Sequence, residues 1–138
     1  MRLVPFEPHH LRQMEVQPAQ APFIEWMTPE VGEAAAARFS FTGLDDAGTI
    51  IGCAGIVETE EGGLGAWATF STLLTAHAVA VTRAVRRGLS LYDGQRIEAH
   101  VLTGHTKAAA FAERLNFSFV RRMAHPNGAE IMLYARER

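Results

Sequence analysis

The chain carries a single cysteine, Cys53, among its 138 residues. An internal disulfide is thereby excluded, and such usage fits a reducing compartment. There is no marked charge imbalance: the net charge is −2 and 20% of residues are charged. That balance gives no electrostatic case for nucleic acid or an anionic membrane as partner. No apolar run approaches the ~20 residues a membrane helix needs. The opening MRLVPFEPHH turns polar too early for a secretory leader. Repeats, low-complexity tracts and dividing linkers are all missing, as are a Ser-His-Asp pattern, a Walker loop and a basic patch with interleaved aromatics. His9, His10, His100 and His125 show no metal-ligand spacing with Cys53 or with one another, so no metal is expected. The expectation is one soluble domain over residues 1–138, in the cytoplasm.

What is present is regular alternation of strand and helix signals. Arg2–Phe6 reads as a strand, and EPHHLRQMEV as a helix with Leu11 and Met14 on one face. QPAQAPF is a loop. TPEVGEAAAAR opens with Thr28 as N-cap and proline at the first helical position, which predicts a helix. Two strands follow around an Asp-Asp-Ala-Gly turn, the second ending at Glu58, and LGAWATFST reads as a third. Leu74, Ala78, Val81, Val85, Leu89 and Tyr92 recur at helical spacing, with Arg83, Arg86 and Arg87 opposite. RIEAHVL alternates as a strand. A last helix has Ala108, Phe111, Ala112 and Leu115 on one face, and two strands close the chain around His125-Pro126-Asn127-Gly128. The order predicts an α/β fold: a mixed sheet of six to seven strands and four helices, with Arg96–Leu102 parallel to Leu64–Ser71.

One stretch raises a chemical question. In VLTGHTKAAAFAERLNF, residues 101–117, an apolar strand passes into a helix through Thr103-Gly104-His105-Thr106. Gly104 suits a tight turn, and Thr103 or Thr106 suits the helix cap. Helix N-termini of this kind direct unpaired amides at anions. Glu58, at the end of an apolar strand, is the candidate base, provided burial raises its affinity for a proton. Glu60 and Glu61 read as a solvated acidic turn. His77 reads as packing, Trp67 and Thr69 as one core-facing strand face, with Trp67 able to wall a pocket.

The element order, ending in strand–loop–helix–Asn-Phe–strand, resembles the GNAT superfamily of acyl-CoA-dependent N-acyltransferases. The sequence likeness is concentrated in residues 97–120. Against the family pattern Asn-x-x-Ala-x-x-x-Tyr-x-x-x-Gly-Phe, aligned on Phe117, this chain has His105, Ala108, Ala112 and Asn116. Ala112 stands where the family has the tyrosine that protonates departing CoA. The glycine-rich pyrophosphate loop corresponds to FSTLLTAHAVAV, which contains no glycine. The resemblance implies transfer of an acetyl group from acetyl-CoA to an amine. It implies that the backbone of Ala68, Thr69 and Phe70 pairs with the pantetheine arm, and that Ser71, Thr72, Thr75, Ala76 and His77 face the pyrophosphate. His105 and Lys107 would touch the cofactor at the second helix start. Glu58 would be the base, and Tyr134 the nearest replacement for the missing acid. The opening twenty residues are similar to small GNAT-like proteins of tailed bacteriophages. That likeness implies an alternative: an inactive structural or assembly protein of a virion that binds another protein. The partners expected are a small-molecule or protein amine acceptor for the enzyme, a virion protein for the alternative, and a second copy of the chain as a homodimer.

Overall fold

The structure is a computed structural model that describes residues 1–15, 39–59, 61–124 and 128–137. Seven strands and three helices occur among these residues: β1 (Arg2–Pro5), α1 (His10–Gln13), β2 (Ser40–Leu44), β3 (Ile50–Glu58), β4 (Leu64–Phe70), α2 (Leu74–Ser90), β5 (Ile97–Leu102), α3 (Thr106–Arg114), β6 (Ser118–Ala124) and β7 (Glu130–Arg136). The strands form a sheet of order β1-β2-β3-β4-β5-β7-β6. The mixed α/β class expected from sequence is thus present. The helix expected from Thr28, the QPAQAPF loop, Glu60 and residues 125–127 of the last turn lie outside the described residues. No helix among the described residues is long and apolar enough to cross a membrane.

The chain divides into two compact units. The first holds Met1–Val57 and Trp67–Gly88. In it β1 runs antiparallel to β2, from Arg2 opposite Leu44 to Pro5 opposite Phe41, and β2 antiparallel to β3. Their turn is held by Asp45, whose carboxylate accepts the amides of Ala47 and Thr49 at 2.9 and 2.8 Å. β3 is buried from Ile50 to Ile56, which is why it reads as a nearly continuous apolar run. Phe6, Leu11, Met14, Ile50 and Cys53 pack as a core, with Leu44, Val57 and Trp67 against it. Two glycines in β3 make room for neighbours. A Cβ on Gly52 would lie 2.5 Å from Phe70 Cδ1. One on Gly55 would lie 2.7 Å from Ser40 Cβ and 2.9 Å from Trp67 Nε1.

α1 is shorter than its sequence pattern, because the chain before His10 is spent in a turn in which the His10 amide donates to Glu7 O at 2.9 Å. α2 differs too. His77 departs from helical geometry (φ −123°, ψ 15°), so the first turn is out of phase with the rest. The stripe drawn from Leu74 through Ala78 therefore breaks. Ala78 is exposed, while Val81, Ala84 and Leu89 are buried. Arg83, Arg86 and Arg87 are exposed as expected.

The second unit holds Glu58–Ala66 and Leu89–Arg138. Here β4 and β5 are parallel, as expected, with Leu64, Gly65 and Ala66 opposite Ile97, Glu98 and Ala99. β7 lies between β5 and β6, antiparallel to both. That interior place accounts for the burial of Ile131 and Leu133 through Arg136.

Candidate functional site

The handover from β5 to α3 is a backbone device. The His105 amide donates to Leu102 O at 3.0 Å, and Gly104 sits at φ +91°, where a Cβ would be strained. The expected threonine cap is not found. His105 is the N-cap residue and makes no side-chain cap bond. Thr106 is already helical, and the Thr103 hydroxyl donates to Glu130 Oε1 at 3.5 Å. The turn closes one residue earlier than a hydroxyl cap requires. The first intrahelical bond runs from the Ala109 amide to His105 O at 3.1 Å, so the amides before it stand outside the helical ladder. His105 is half-buried, and burial, then the Lys107 ammonium, hold its imidazole below its usual range. Lys107 itself is exposed.

The segment from β4 into α2 lies in the first unit. Thr69, Phe70 and Ser71 are buried and Ala68 is half-buried. Ser71 is tied down twice: its amide donates to Ile51 O at 2.8 Å and its Oγ accepts the Leu73 amide at 3.1 Å. The next amides are also committed. Thr72 N donates to Glu15 O, Leu74 N to Ser71 O and Ala76 N to Leu73 O, all at 3.2–3.3 Å. Thr72 and Thr75 are exposed, and His77 is half-buried at the kink.

Glu58 closes β3 and is exposed, whereas its expected role as base was tied to burial. Tyr134 lies on β7 opposite Ala99 and Phe119, buried, its ring edge-to-face with Phe119 at 5.9 Å. In the first unit Trp67 stacks edge-to-face on Phe6 at 4.8 Å. Its buried Nε1 has no hydrogen-bond partner among the described residues.

A second arrangement was not legible in the sequence. His10 Nδ1 accepts the Glu7 amide at 3.2 Å and lies 2.7 Å from Thr42 Oγ1, which in turn lies 3.4 Å from Cys53 Sγ. Because the Glu7 amide can only donate, Nδ1 is the acceptor. The Thr42 hydroxyl then donates to Nδ1 and accepts from the thiol. Burial pushes the Cys53 thiol up to about 11, so it is no nucleophile. Burial, then His9, hold His10 below the usual imidazole range, against the raising effect of Glu7. Glu7, His9 and His10 also bring three donor atoms within 4.8 Å of one another. The signal available beforehand was Glu7-Pro8-His9-His10 at a helix start. A search for spacing among His and Cys alone leaves out the glutamate.

No protein-family model matches this sequence, and no curated protein matches it. Similarity is found among solved structures. A protein named for the GnaT family of acetyltransferases, from Bordetella pertussis, superposes with a TM-score of 0.71 at 22% identity, over 97% of this chain and 93% of that one. A structure named for phosphinothricin N-acetyltransferase gives 0.69 at 12% identity, over 99% and 97%. A variant of the spermidine N-acetyltransferase SpeG from Vibrio cholerae gives 0.63 at 13% identity, over 99% and 95%. The chain has the fold of the GNAT acetyltransferases.

Proposed function

We propose that this protein is a single-domain N-acetyltransferase of the cytoplasm, transferring an acetyl group from acetyl-CoA to an amine. The observation that carries the reading is the match to acetyltransferase folds over nearly the whole length of both chains. Two features support it: β4 and β5 are parallel, and each runs into a helix start, β4 into α2 and β5 into α3.

The reaction is attack of a neutral amine nitrogen on the thioester carbonyl. A C–N bond forms, the C–S bond breaks, the amine loses a proton and CoA leaves as a thiolate that takes one up. Glu58 receives the amine proton, directly or through water. Tyr134 is the proposed donor to the thiolate, since Ala112 occupies the family's tyrosine position. Ala68–Phe70 pair with the pantetheine arm. The pyrophosphate faces the segment from Ser71 to His77. Five amides of that segment, those of Ser71, Thr72, Leu73, Leu74 and Ala76, already serve the protein itself, so the exposed hydroxyls of Thr72 and Thr75 must carry much of the contact. Acetyl-CoA therefore binds weakly, at high-micromolar levels or above, toward the upper end of the ~1 μM–1 mM Michaelis constants of ordinary enzymes.

Titration calorimetry with acetyl-CoA tests this, followed by thiol release over a panel of amines led by polyamines, the class named for one structural neighbour. Glu58→Gln is expected to slow transfer without weakening acetyl-CoA binding, because a base acts in the transition state. No heat at millimolar ligand with folded protein overturns the enzyme. The same committed amides, together with Ala112, favour a second reading: an inactive protein of this fold that binds another protein, such as a phage assembly component.

A further inference from the structure

We infer that Glu7, His9 and His10 form a binding site for a divalent transition-metal ion such as Zn2+. The three donors come from one short turn, closed by the bond from the His10 amide to Glu7 O at 2.9 Å, with Pro8 restricting its backbone. Among the described residues this is the group in which three such donors meet within 4.8 Å. His10 Nε2 and Glu7 Oε2 are already 3.7 Å apart, and the rings of His9 and His10 lie 4.6 Å apart. Two imidazoles and a carboxylate, with a fourth position for water, are a donor set of zinc. Bonds of ~2.0–2.2 Å require donors about 3.4 Å apart. The cluster must therefore contract by about an ångström. Glu7 is exposed and can move, while His10 is the fixed member, buried at 9% exposure.

The packing behind His10 suits this role. A metal on Nε2 needs that nitrogen unprotonated, which places the ring proton on Nδ1. Thr42 Oγ1, 2.7 Å away, can accept it, and the Thr42 hydroxyl then donates to Cys53 Sγ. The hydrogen-bond chain thus reverses direction without moving a heavy atom. The bond from the Glu7 amide is given up, and that amide must turn away, because two N–H donors cannot face each other at 3.2 Å. A hydrogen-bonded second partner that fixes a ligating imidazole is the usual support of such a site. The site is independent of acyl transfer and stands or falls separately from it.

The test uses the full chain, free of any affinity tag and stripped with chelator, titrated with Zn2+ by calorimetry and with Co2+ by visible absorption. One ion per chain is expected. Glu7→Gln and His9→Ala, both at turn positions that reach solvent, should each weaken Zn2+ binding at least tenfold. Thr42→Val should weaken it by ~10-fold or more through loss of the ring's orientation. Thermal melting in chelator shows that each variant is folded. Absence of binding at about 1 mM Zn2+, or equal affinity in the wild type, Glu7→Gln and His9→Ala, overturns the site.

Discussion

At the scale of single residues, the informative positions are those where a side chain is missing or silent. Gly55 sits beneath Ser40, Phe39 O and Trp67 Nε1, all within 3.0 Å of where its Cβ would be. Phe39 O is backbone, held in part by accepting the Ile56 amide at 2.8 Å, so it cannot simply step aside. Gly55→Ala is therefore expected to destabilise by about 1–3 kcal/mol through overpacking. Urea midpoints check this, and a loss under ~0.5 kcal/mol would place the change among ordinary surface substitutions. Cys53 teaches the converse. Its lone presence invites a catalytic reading, yet it is fully buried with its thiol pushed up. It serves as an apolar core atom with a polar handle on Thr42.

At the scale of elements, α3 shows how a pattern is read correctly at its end and less well along its face. Asn116 adopts φ 71°, its amide donates to Glu113 O at 3.1 Å, and the Phe117 amide donates to Ala112 O at 3.0 Å. That is a Schellman ending, with asparagine in the left-handed position favoured by glycine. Asn116→Ala should cost about 1 kcal/mol, because an ordinary residue pays the left-handed penalty. Along the helix, Ala112 and Leu115 are buried while Ala108 and Phe111 are half-buried. Leu115→Ala should then cost ~2–5 kcal/mol, and Phe111→Ala less than Leu115→Ala despite its larger ring. Chemical denaturation of both variants decides the order. The reverse order would return Phe111 to the centre of the apolar face.

At the scale of the whole molecule, pH reports on His105. Its folded-state affinity for a proton is below that of the unfolded chain, so the unfolded state takes up the proton first. Stability is complete above the ordinary imidazole value of about 6.5 and is lost as pH falls below it. The urea midpoint in chelator should drop between about pH 7.5 and about pH 5.5, and His105→Gln should reduce that drop. An identical drop in the variant would remove His105 as a cause. The sequence by itself determined the alternation of elements, the parallel relation of β4 and β5, the glycine turn before α3 and the asparagine after it. These follow from period, turn chemistry and backbone sterics, which act over a few residues. Only the tertiary structure decided the rest. It placed β7 between β5 and β6, put Glu58 in solvent, committed the amides after β4 to internal partners, and joined His10 to Cys53 through Thr42. Each depends on which atoms from distant parts of the chain meet, and hydrogen bonds and burial between such atoms leave no local period to read.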